Sequence, residues 1–500
     1  MSTETNNAIR STTPGRAATL SLWDSICLIV GIIIGASIYM FPPLIFSNSG
    51  NAWNGMIAWI AGGIVSLIGA LCYAELASCY RSAGGDYTYL SRAYGPRIGF
   101  IFAWAELSVI RTGGSIACMA YIFATYATQF YNLGPNSKLI YAIIGILGPT
   151  VINAIGFRPG RVVQNSLTVS NFIGLGGICL IGAWYFFNPA PPAVPIAASD
   201  EGLKTVAGAF EQMIPSLAVM MVFVFYAYGG WNEAAFISSE VKNPDRNICR
   251  ALIIGTSVVM LIYVAVNLAY LGALGYHGVC NSTAVAGDMF ALPFGEDGRR
   301  AISALVMISS LGSINGLLFT GMRLYGTFGN DHKFFSWLAG KGDRPHHGYG
   351  ALFAQAAFSL FLIAVVESAL HWRQLLAQIA PYFNMQLNEE FRKTGEINRI
   401  ATCTAPIFWI FFLLTGCSIF ILRFKDADRE RPFKVPFYPV LPLLFCGSCA
   451  FMLVRSGMYA LEQEPAEALI VAALMLLGIP FCIFSVSSAK KTQEPDDGSS

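Results

Sequence analysis

Charged residues are scarce in this sequence: Asp, Glu, Lys and Arg account for 12% of its 500 residues, whereas a soluble domain carries roughly 25%. The 31 basic and 29 acidic residues almost cancel, so the chain has no overall field that would attract nucleic acid or an acidic partner. Apolar residues account for 55%. This composition excludes an ordinary soluble globular domain and indicates a protein of the lipid bilayer.

Motifs for several kinds of chemistry are also missing. The chain has no Gly-x-x-x-x-Gly-Lys-Ser/Thr sequence, which excludes a process driven by its own ATP hydrolysis. Most of its 12 cysteines lie in apolar runs, and their spacing fits neither a zinc site nor a disulfide framework. His332, His346 and His347 share a predicted connector with Asp331 and Asp343, but without metal-ligand spacing they are better interpreted as solvated loop residues. We therefore expect no enzymatic activity, no metal and no cofactor.

Apolar segments of spanning length, separated by polar connectors with Gly and Pro, occur twelve times. A spanning helix needs about 20 apolar residues, so twelve would use roughly 240, close to the apolar content. The connectors on the N-terminal side hold roughly twice as many Lys and Arg residues as those on the other side, which predicts cytoplasmic N- and C-termini. The predicted spans, numbered 1 to 12, begin near Trp23, Met56, Ile98, Leu139, Leu167, Phe210, Ala251, Arg300, Ala351, Ala405, Val440 and Glu467.

Two of these spans contain residues that weaken a helix at mid-depth. Span 1 has small residues in the run Val30–Tyr39, and span 6 has paired glycines in the run Phe225–Glu233. A glycine costs a helix interior about 1 kcal/mol relative to alanine, and each unpaired backbone group in hydrocarbon costs several kcal/mol. Such interruptions persist where they line a cavity. Their matched positions in two five-span halves predict an inverted-repeat carrier with a site at the midplane.

The opened backbone predicts the kind of ligand. Free N–H groups at the N-terminus of a half-helix suit a carboxylate, and free carbonyl groups suit an ammonium group or a cation. An α-amino acid carries both charges close together. The alternative interpretation is that Gly31, Gly35, Gly229 and Gly230 allow close helix packing.

At these residues the chain resembles the L-type amino acid transporter family of the amino acid–polyamine–organocation superfamily. The shared motifs follow one another in the family's order over most of the chain. The resemblance implies an all-α membrane protein with a five-plus-five inverted repeat, discontinuous helices 1 and 6, two further helices, and substrate held between spans 1, 3, 6 and 8. The motifs are Val30–Tyr39, Gly69–Leu76, Gly84–Tyr87, Tyr226–Asn247, Gly312–Gly316 and Glu430–Val435.

This organisation divides the chain into predicted regions. A cytoplasmic tail at 1–20 precedes the transporter domain at 21–487, and a second cytoplasmic tail follows at 488–500. The first repeat covers about 21–188, the second repeat about 208–423, and helices 11 and 12 about 437–487. The mixed-charge connector at about 367–402 is an extracellular insertion, interpreted as tolerated and without a role.

The predicted substrate-binding residues follow from the two interrupted spans. In span 1 the family's usual Gly-Ser-Gly is Gly35-Ala36-Ser37 here, so Ser37 adds a hydroxyl beside the carboxylate pocket. In span 6 an aromatic gate, commonly Phe in the family, is Tyr226. The full predicted set is Ile34, Gly35, Ala36, Ser37, Ile38, Tyr226, Ala227, Tyr228, Gly229, Gly230, Trp231 and Asn232.

Four further residues are candidates for coupling or specificity. Glu233 is a carboxylate beside the opened segment of span 6, a costly placement that could bind a cationic side chain, carry a coupling proton, or point into a solvated cytoplasmic vestibule. Asn171 falls where many relatives have a lysine whose ammonium stands in for sodium. With Ser313 it leaves room for sodium or water, so the coupling ion stays open; Asn315 is the fourth candidate.

Other charged residues are assigned structural roles. Glu106 and Arg111 in span 3 lie about 140° apart on an α-helix and need not pair with each other; Arg111 then contacts another helix, as a structural pair or as part of a gate. Glu75 is expected to be a solvated or paired carboxylate at a helix end, and Arg323 and Arg431 to be snorkelling or lipid-facing. Asn243-Pro244 is interpreted as the start of span 7.

The resemblance also bears on partners and alternatives. Relatives that join a single-span glycoprotein do so through a cysteine between spans 3 and 4, and the loop 128–138 has none, so no disulfide-linked subunit is expected.

The predicted function is secondary amino acid transport by alternating access in the plasma membrane, or in the inner membrane of a bacterium. A transporter-derived amino acid sensor and a polyamine or amine carrier are the alternatives. An ion channel is less favoured, because the sequence has no repeated filter and no ring of like charge.

Overall fold

The computed structural model describes residues 20–82, 84–155, 157–188, 217, 219–339, 348–368 and 396–491. In these residues the chain is helical, and its one extended contact is an isolated bridge between Leu20 and Val241. Most of the predicted tails and most of the predicted insertion lie outside the described residues, and the last helix continues to Lys491, into the predicted C-terminal tail.

The described residues contain nine helices long and apolar enough to cross a membrane. Span 1 contains the shorter apolar helix Leu22–Ile33. Span 5 contains the apolar helix Asn171–Phe187, which is the second part of the longer helix Phe157–Phe187. Span 6 is described as the helical residues 219–228. These segments agree with the predicted twelve-span fold. The nine long helices are Ala52–Cys79, Pro96–Phe130, Ser137–Ile155, Pro244–Cys280, Val285–Asp331, Tyr349–Glu367, Glu396–Lys425, Val440–Gln463 and Pro465–Ser485.

Most spans begin close to the predicted residue, but spans 5, 8 and 10 begin much earlier, span 10 at Glu396 instead of near Ala405. Span 5 starts at Phe157 and the helix of span 8 at Val285. Gly295 interrupts the latter with a φ of 61°, so a preceding helix joins span 8 at a kink. Span 7 starts at Pro244 as predicted, although the Asn243 side chain makes no capping hydrogen bond.

Span 1 is broken where the small residues predicted it. Its first half, Leu22–Ile33, starts with a capping box in which Ser21 and Asp24 each accept from the other's backbone amide. The chain is extended at Gly35, forms a 3₁₀ turn over Ala36–Tyr39 and continues as the helix Pro42–Ser47.

Span 6 is broken at its paired glycines. The helix over 219–228 ends in a turn at Gly229 and Gly230, and a 3₁₀ turn at Trp231–Glu233 leads into the short helix Ala234–Ile237. Gly230 has a φ of 111°, a conformation that side chains with a Cβ rarely adopt. The break therefore depends on glycine at this position.

Span 3 changes its helical form at mid-depth. Its ends, Pro96–Ala105 and Cys118–Phe130, are α-helical, but Glu106–Ala117 is a π-helix of 12 residues. A π-helix bonds residue i to residue i+5 and is frequently found at functional sites.

The interrupted spans are held in the middle of the bundle. Span 7 packs against spans 1, 2 and 5, and span 8 packs against spans 3, 4 and 5. At the end of span 6, the Leu20 amide donates to Glu240 and the Lys242 amide donates to Leu20. Span 1 is thus tied at its start to the segment that follows span 6.

Candidate functional site

A single cavity joins the two interrupted segments in the centre of the bundle. Its walls come from spans 1, 3, 6, 8 and 10, with apolar side chains over most of the surface and three charged side chains in one region. The lining residues are Ile32, Ile33, Gly35, Ser37, Glu106, Ile110, Arg111, Gly114, Ser115, Met119, Val222, Tyr226, Gly229, Gly230, Asn232, Glu233, Ser313, Leu317, Thr404, Ala405, Phe408 and Trp409.

Side chains from neighbouring spans bond the carbonyl groups of the span 1 break. Asn171 Nδ2 donates to the Ile34 carbonyl at 2.9 Å, and the Tyr263 hydroxyl is 2.9 Å from the Ile33 carbonyl. Span 8 approaches this break so closely that a Cβ on Gly35 would lie 2.9 Å from Ser313 Oγ. The break is therefore a supported, specific geometry, and a side chain at Gly35 would force Ser313 Oγ to shift.

The span 6 break shares one of these partners. The Tyr263 hydroxyl also lies 3.1 Å from the Ala227 carbonyl, so one side chain of span 7 contacts both breaks. Tyr226 lines the cavity and packs edge-on against Phe41, with ring centroids 5.3 Å apart. An aromatic ring thus stands where the gate was predicted.

The structure brings half of the predicted site residues to the cavity wall. Asn171 and Ile34 contact each other just behind it. The predicted residues on the wall are Gly35, Ser37, Tyr226, Gly229, Gly230, Asn232, Glu233 and Ser313, and those outside it are Ile34, Ala36, Ile38, Ala227, Tyr228, Trp231, Asn171 and Asn315.

Several residues outside the wall have structural neighbours of their own. Trp231 stacks on Phe412 with centroids 5.3 Å apart, and Tyr228 packs edge-on against Trp59 at 5.9 Å. Asn315 accepts a hydrogen bond of 2.7 Å from Asn153 in span 4.

Asn171 keeps unused hydrogen-bonding capacity. It is 4% exposed, and its Oδ1 has no hydrogen-bond partner in the described part of the chain. A buried amide oxygen beside the opened backbone of span 1 suits a water molecule or a cation. The residues present therefore fit the predicted choice between sodium and water.

The charged side chains of the cavity form one cluster around Arg111. Arg111 Nη2 and Nη1 donate to the two carboxylate oxygens of Glu233 at 2.9 and 3.1 Å, and Arg111 Nε donates to Glu106 at 3.1 Å. Arg111 Nη1 also donates to Thr320 Oγ1 at 2.9 Å and to the Leu317 carbonyl at 3.2 Å. The cluster therefore links spans 3, 6 and 8.

The structure pairs the charges of this cluster in a way that the sequence left open. Glu106 and Arg111 do pair, because the π-helix places residues five apart about one turn above each other. Glu233 is 5% exposed and bonded to Arg111 rather than solvated in a vestibule. The prediction that Arg111 contacts another helix is confirmed.

The lipid-facing interpretation of two arginines is wrong. Arg323 Nε and Nη2 donate to the two Glu240 carboxylate oxygens at 2.9 and 3.0 Å. Arg431 lies 3.5 Å from Glu75, whose carboxylate also accepts from Arg423 at 2.5 and 2.7 Å. Glu75 is thus paired; the sequence predicted that it would be either paired or solvated.

Two connector residues, His332 and Asp86, are buried. His332 is 3% exposed, with Nδ1 2.9 Å from Ser485 Oγ, so the solvated-loop interpretation is wrong for it; His346 and His347 lie outside the described residues. In the connector after span 2, Asp86 is 2% exposed, and burial raises the pKa of its carboxyl to about 8.

Span 10 supplies wall residues that the sequence did not indicate. Thr404, Phe408 and Trp409 line the cavity, and the Trp409 ring packs edge-on against Phe225 at 4.9 Å. They lie in an ordinary apolar run without glycine pairs or charge, so no local signal marks them. Ile110 and Met119 in span 3 also line the cavity and were missed.

Comparison with known proteins adds an independent result. A sequence model described as amino acid permease matches residues 20–487. The chain is 29% identical over 467 residues to the b(0,+)-type amino acid transporter 1 of Mus musculus, covering 92% of this chain and 85% of the relative. It is 29% identical to the large neutral amino acids transporter small subunit 2 of Mus musculus, covering 92% and 79%. The serine/threonine exchanger SteT of Bacillus subtilis is 26% identical, covering 87% and 90%.

Proposed function

This chain belongs to the amino acid permease family, as an L-type amino acid transporter of the amino acid–polyamine–organocation superfamily, and from that premise we propose that it moves amino acids across the membrane by alternating access. The backbone of spans 1 and 6 holds the amino and carboxyl groups of the substrate. The relatives named above are transporters or exchangers by name, with the serine/threonine exchanger among them.

The observation that carries this proposal is one cavity lined by both helix breaks. Gly35 and Ser37 of span 1 lie on the same wall as Gly229 and Gly230 of span 6. Amide groups at the start of a half-helix attract a carboxylate, and carbonyl groups at a half-helix end attract an ammonium group. A zwitterion matches that arrangement better than a simple amine does.

The cavity wall combines interrupted spans with uninterrupted ones, and this combination supports alternating access. Spans 1 and 6 contribute the interrupted segments, whereas spans 3 and 8 contribute uninterrupted walls. Movement of one pair against the other would open the cavity to either side in turn. We place both termini in the cytoplasm of a plasma membrane or a bacterial inner membrane, from the distribution of Lys and Arg.

Uptake by the purified chain in liposomes tests the proposal. Labelled neutral, basic and acidic amino acids and a polyamine are compared, with and without internal amino acid, a sodium gradient or a pH gradient. Saturable uptake accelerated by internal amino acid supports an exchanger, and equal uptake without it supports a permease. Binding without flux would make the chain a sensor, uptake confined to the polyamine would make it an amine carrier, and either result would refute the proposal.

Liposomes that contain the single purified chain also test the prediction that it has no disulfide-linked subunit. Uptake by the single purified chain is expected, because the loop 128–138 offers no cysteine for a disulfide-linked glycoprotein. Uptake that appears only after a second subunit is added would contradict it.

A further inference from the structure

The charges on the cavity wall do not balance. Glu106, Glu233 and Arg111 are the charged residues among its described lining, and two carboxylates with one guanidinium leave one negative charge in excess. All three side chains are buried, at 5%, 5% and 1% exposure. A net charge enclosed at this depth is costly until a cation or a proton joins it.

The two carboxylates are not equivalent. Both oxygens of Glu233 accept from Arg111 in a fork-to-fork pair, the geometry in which the two charges cancel most completely. Glu106 accepts from Arg111 through Oε2 alone, and its other oxygen accepts no hydrogen bond in the described part of the chain. The excess charge therefore resides mainly on Glu106.

The surroundings supply no second cation to Glu106. Arg111 is already engaged through all three of its nitrogens, with Thr320 and the Leu317 carbonyl as further acceptors. Asp86 is the next acidic group, and burial raises its pKa to about 8, so it is mostly neutral at pH 7. The phenol of Tyr325, which also adjoins the cluster, is buried and uncharged.

We infer that Glu106 is the specificity-determining carboxylate of the cavity and selects amino acids whose side chain carries a positive charge. The inference rests on the proposed function and adds the substrate class. The α-amino and α-carboxyl groups of any amino acid cancel, so only a charged side chain alters the balance on the wall. A basic side chain neutralises the excess charge, and an acidic side chain doubles it.

Two variants of Glu106 and one control variant, each measured in liposomes, test the role of Glu106. The measured quantity is the ratio of arginine uptake to leucine uptake at pH 7, with glutamate as a third substrate. Glu106→Gln is expected to lower the ratio at least tenfold, and Glu106→Asp is expected to keep it. Glu240→Gln is the matched control, since Glu240 is a buried carboxylate paired with Arg323 and does not line the cavity.

The wild-type chain alone provides a test that does not depend on variant folding. Unlabelled arginine is expected to compete with labelled leucine at lower concentration than glutamate does. Equal competition by the two, or an unchanged uptake ratio in a folded Glu106→Gln protein, would overturn the inference while leaving amino acid transport intact. Leucine uptake with a pH dependence that Glu106→Gln removes, and no arginine uptake, would also overturn it, because Glu106 would then bind a proton. A chain that carries none of the amino acids would refute the proposed function itself.

Discussion

Replacing Arg111 with Met should destabilise the fold more than any comparable change outside the cavity. Arg111 is 1% exposed and donates to Glu106, Glu233, Thr320 and the Leu317 carbonyl. Met keeps much of the side-chain length and removes every donor. Removing one partner of a buried ion pair costs about 3–5 kcal/mol, and here two carboxylates lose their cation together. The apparent Tm should fall on the order of 5–10 °C.

The assay is thermal unfolding in detergent, followed by fluorescence-detected size exclusion. The triple variant that adds Glu106→Gln and Glu233→Gln to Arg111→Met should recover most of the loss, since neutral groups replace the stranded charges. Arg323→Met is the control, because the Arg323–Glu240 pair is more exposed, at 10% and 11% of its side chains. A wild-type Tm for Arg111→Met, or no recovery in the triple variant, would refute the cluster's energetic role.

Three further outcomes are expected. Asn171→Lys places an ammonium beside the Ile34 carbonyl, so uptake should not depend on sodium; sodium-stimulated uptake that survives the change would contradict a cation site there. Tyr263→Phe removes the donor shared by both breaks and should cost about 1–3 kcal/mol, seen as a lower Tm; an unchanged Tm would contradict that bond's importance. Burial raises the pKa of Asp86 to about 8, from about 4 when unfolded, so the folded state holds its proton more tightly and stability is lost as pH rises between those values. Asp86→Asn should therefore flatten the fall in Tm between pH 5 and 8, and an unchanged slope would count against the shift.

The helix breaks were predictable from helix-weakening residues at matched positions in the two halves. The structure breaks span 1 after Ile33 and span 6 at Gly229 and Gly230, whereas the pairs Gly62-Gly63 and Gly176-Gly177 lie inside unbroken helices. The number of spans followed from apolar length, which the bilayer enforces. The early start of the span 8 helix could not be predicted in this way, because a preceding helix is joined to span 8 by a kink at Gly295.

The partners of buried charges were not predictable in the same way. Arg323 pairs with Glu240, 83 residues away, and nothing in either local sequence links them. The pairing of Glu106 with Arg111 depends on a π-helix, whose formation has no residue signature comparable to a glycine pair. The apolar wall residues of span 10 are likewise indistinguishable by sequence from residues that face lipid.

Tyr263 has a consequence for how the two interrupted helices behave. A phenol has one proton, yet its oxygen lies within reach of the Ile33 carbonyl at 2.9 Å and the Ala227 carbonyl at 3.1 Å. One hydroxyl of span 7 therefore connects the two half-helices directly. A movement that separates them has to release at least one of these two contacts.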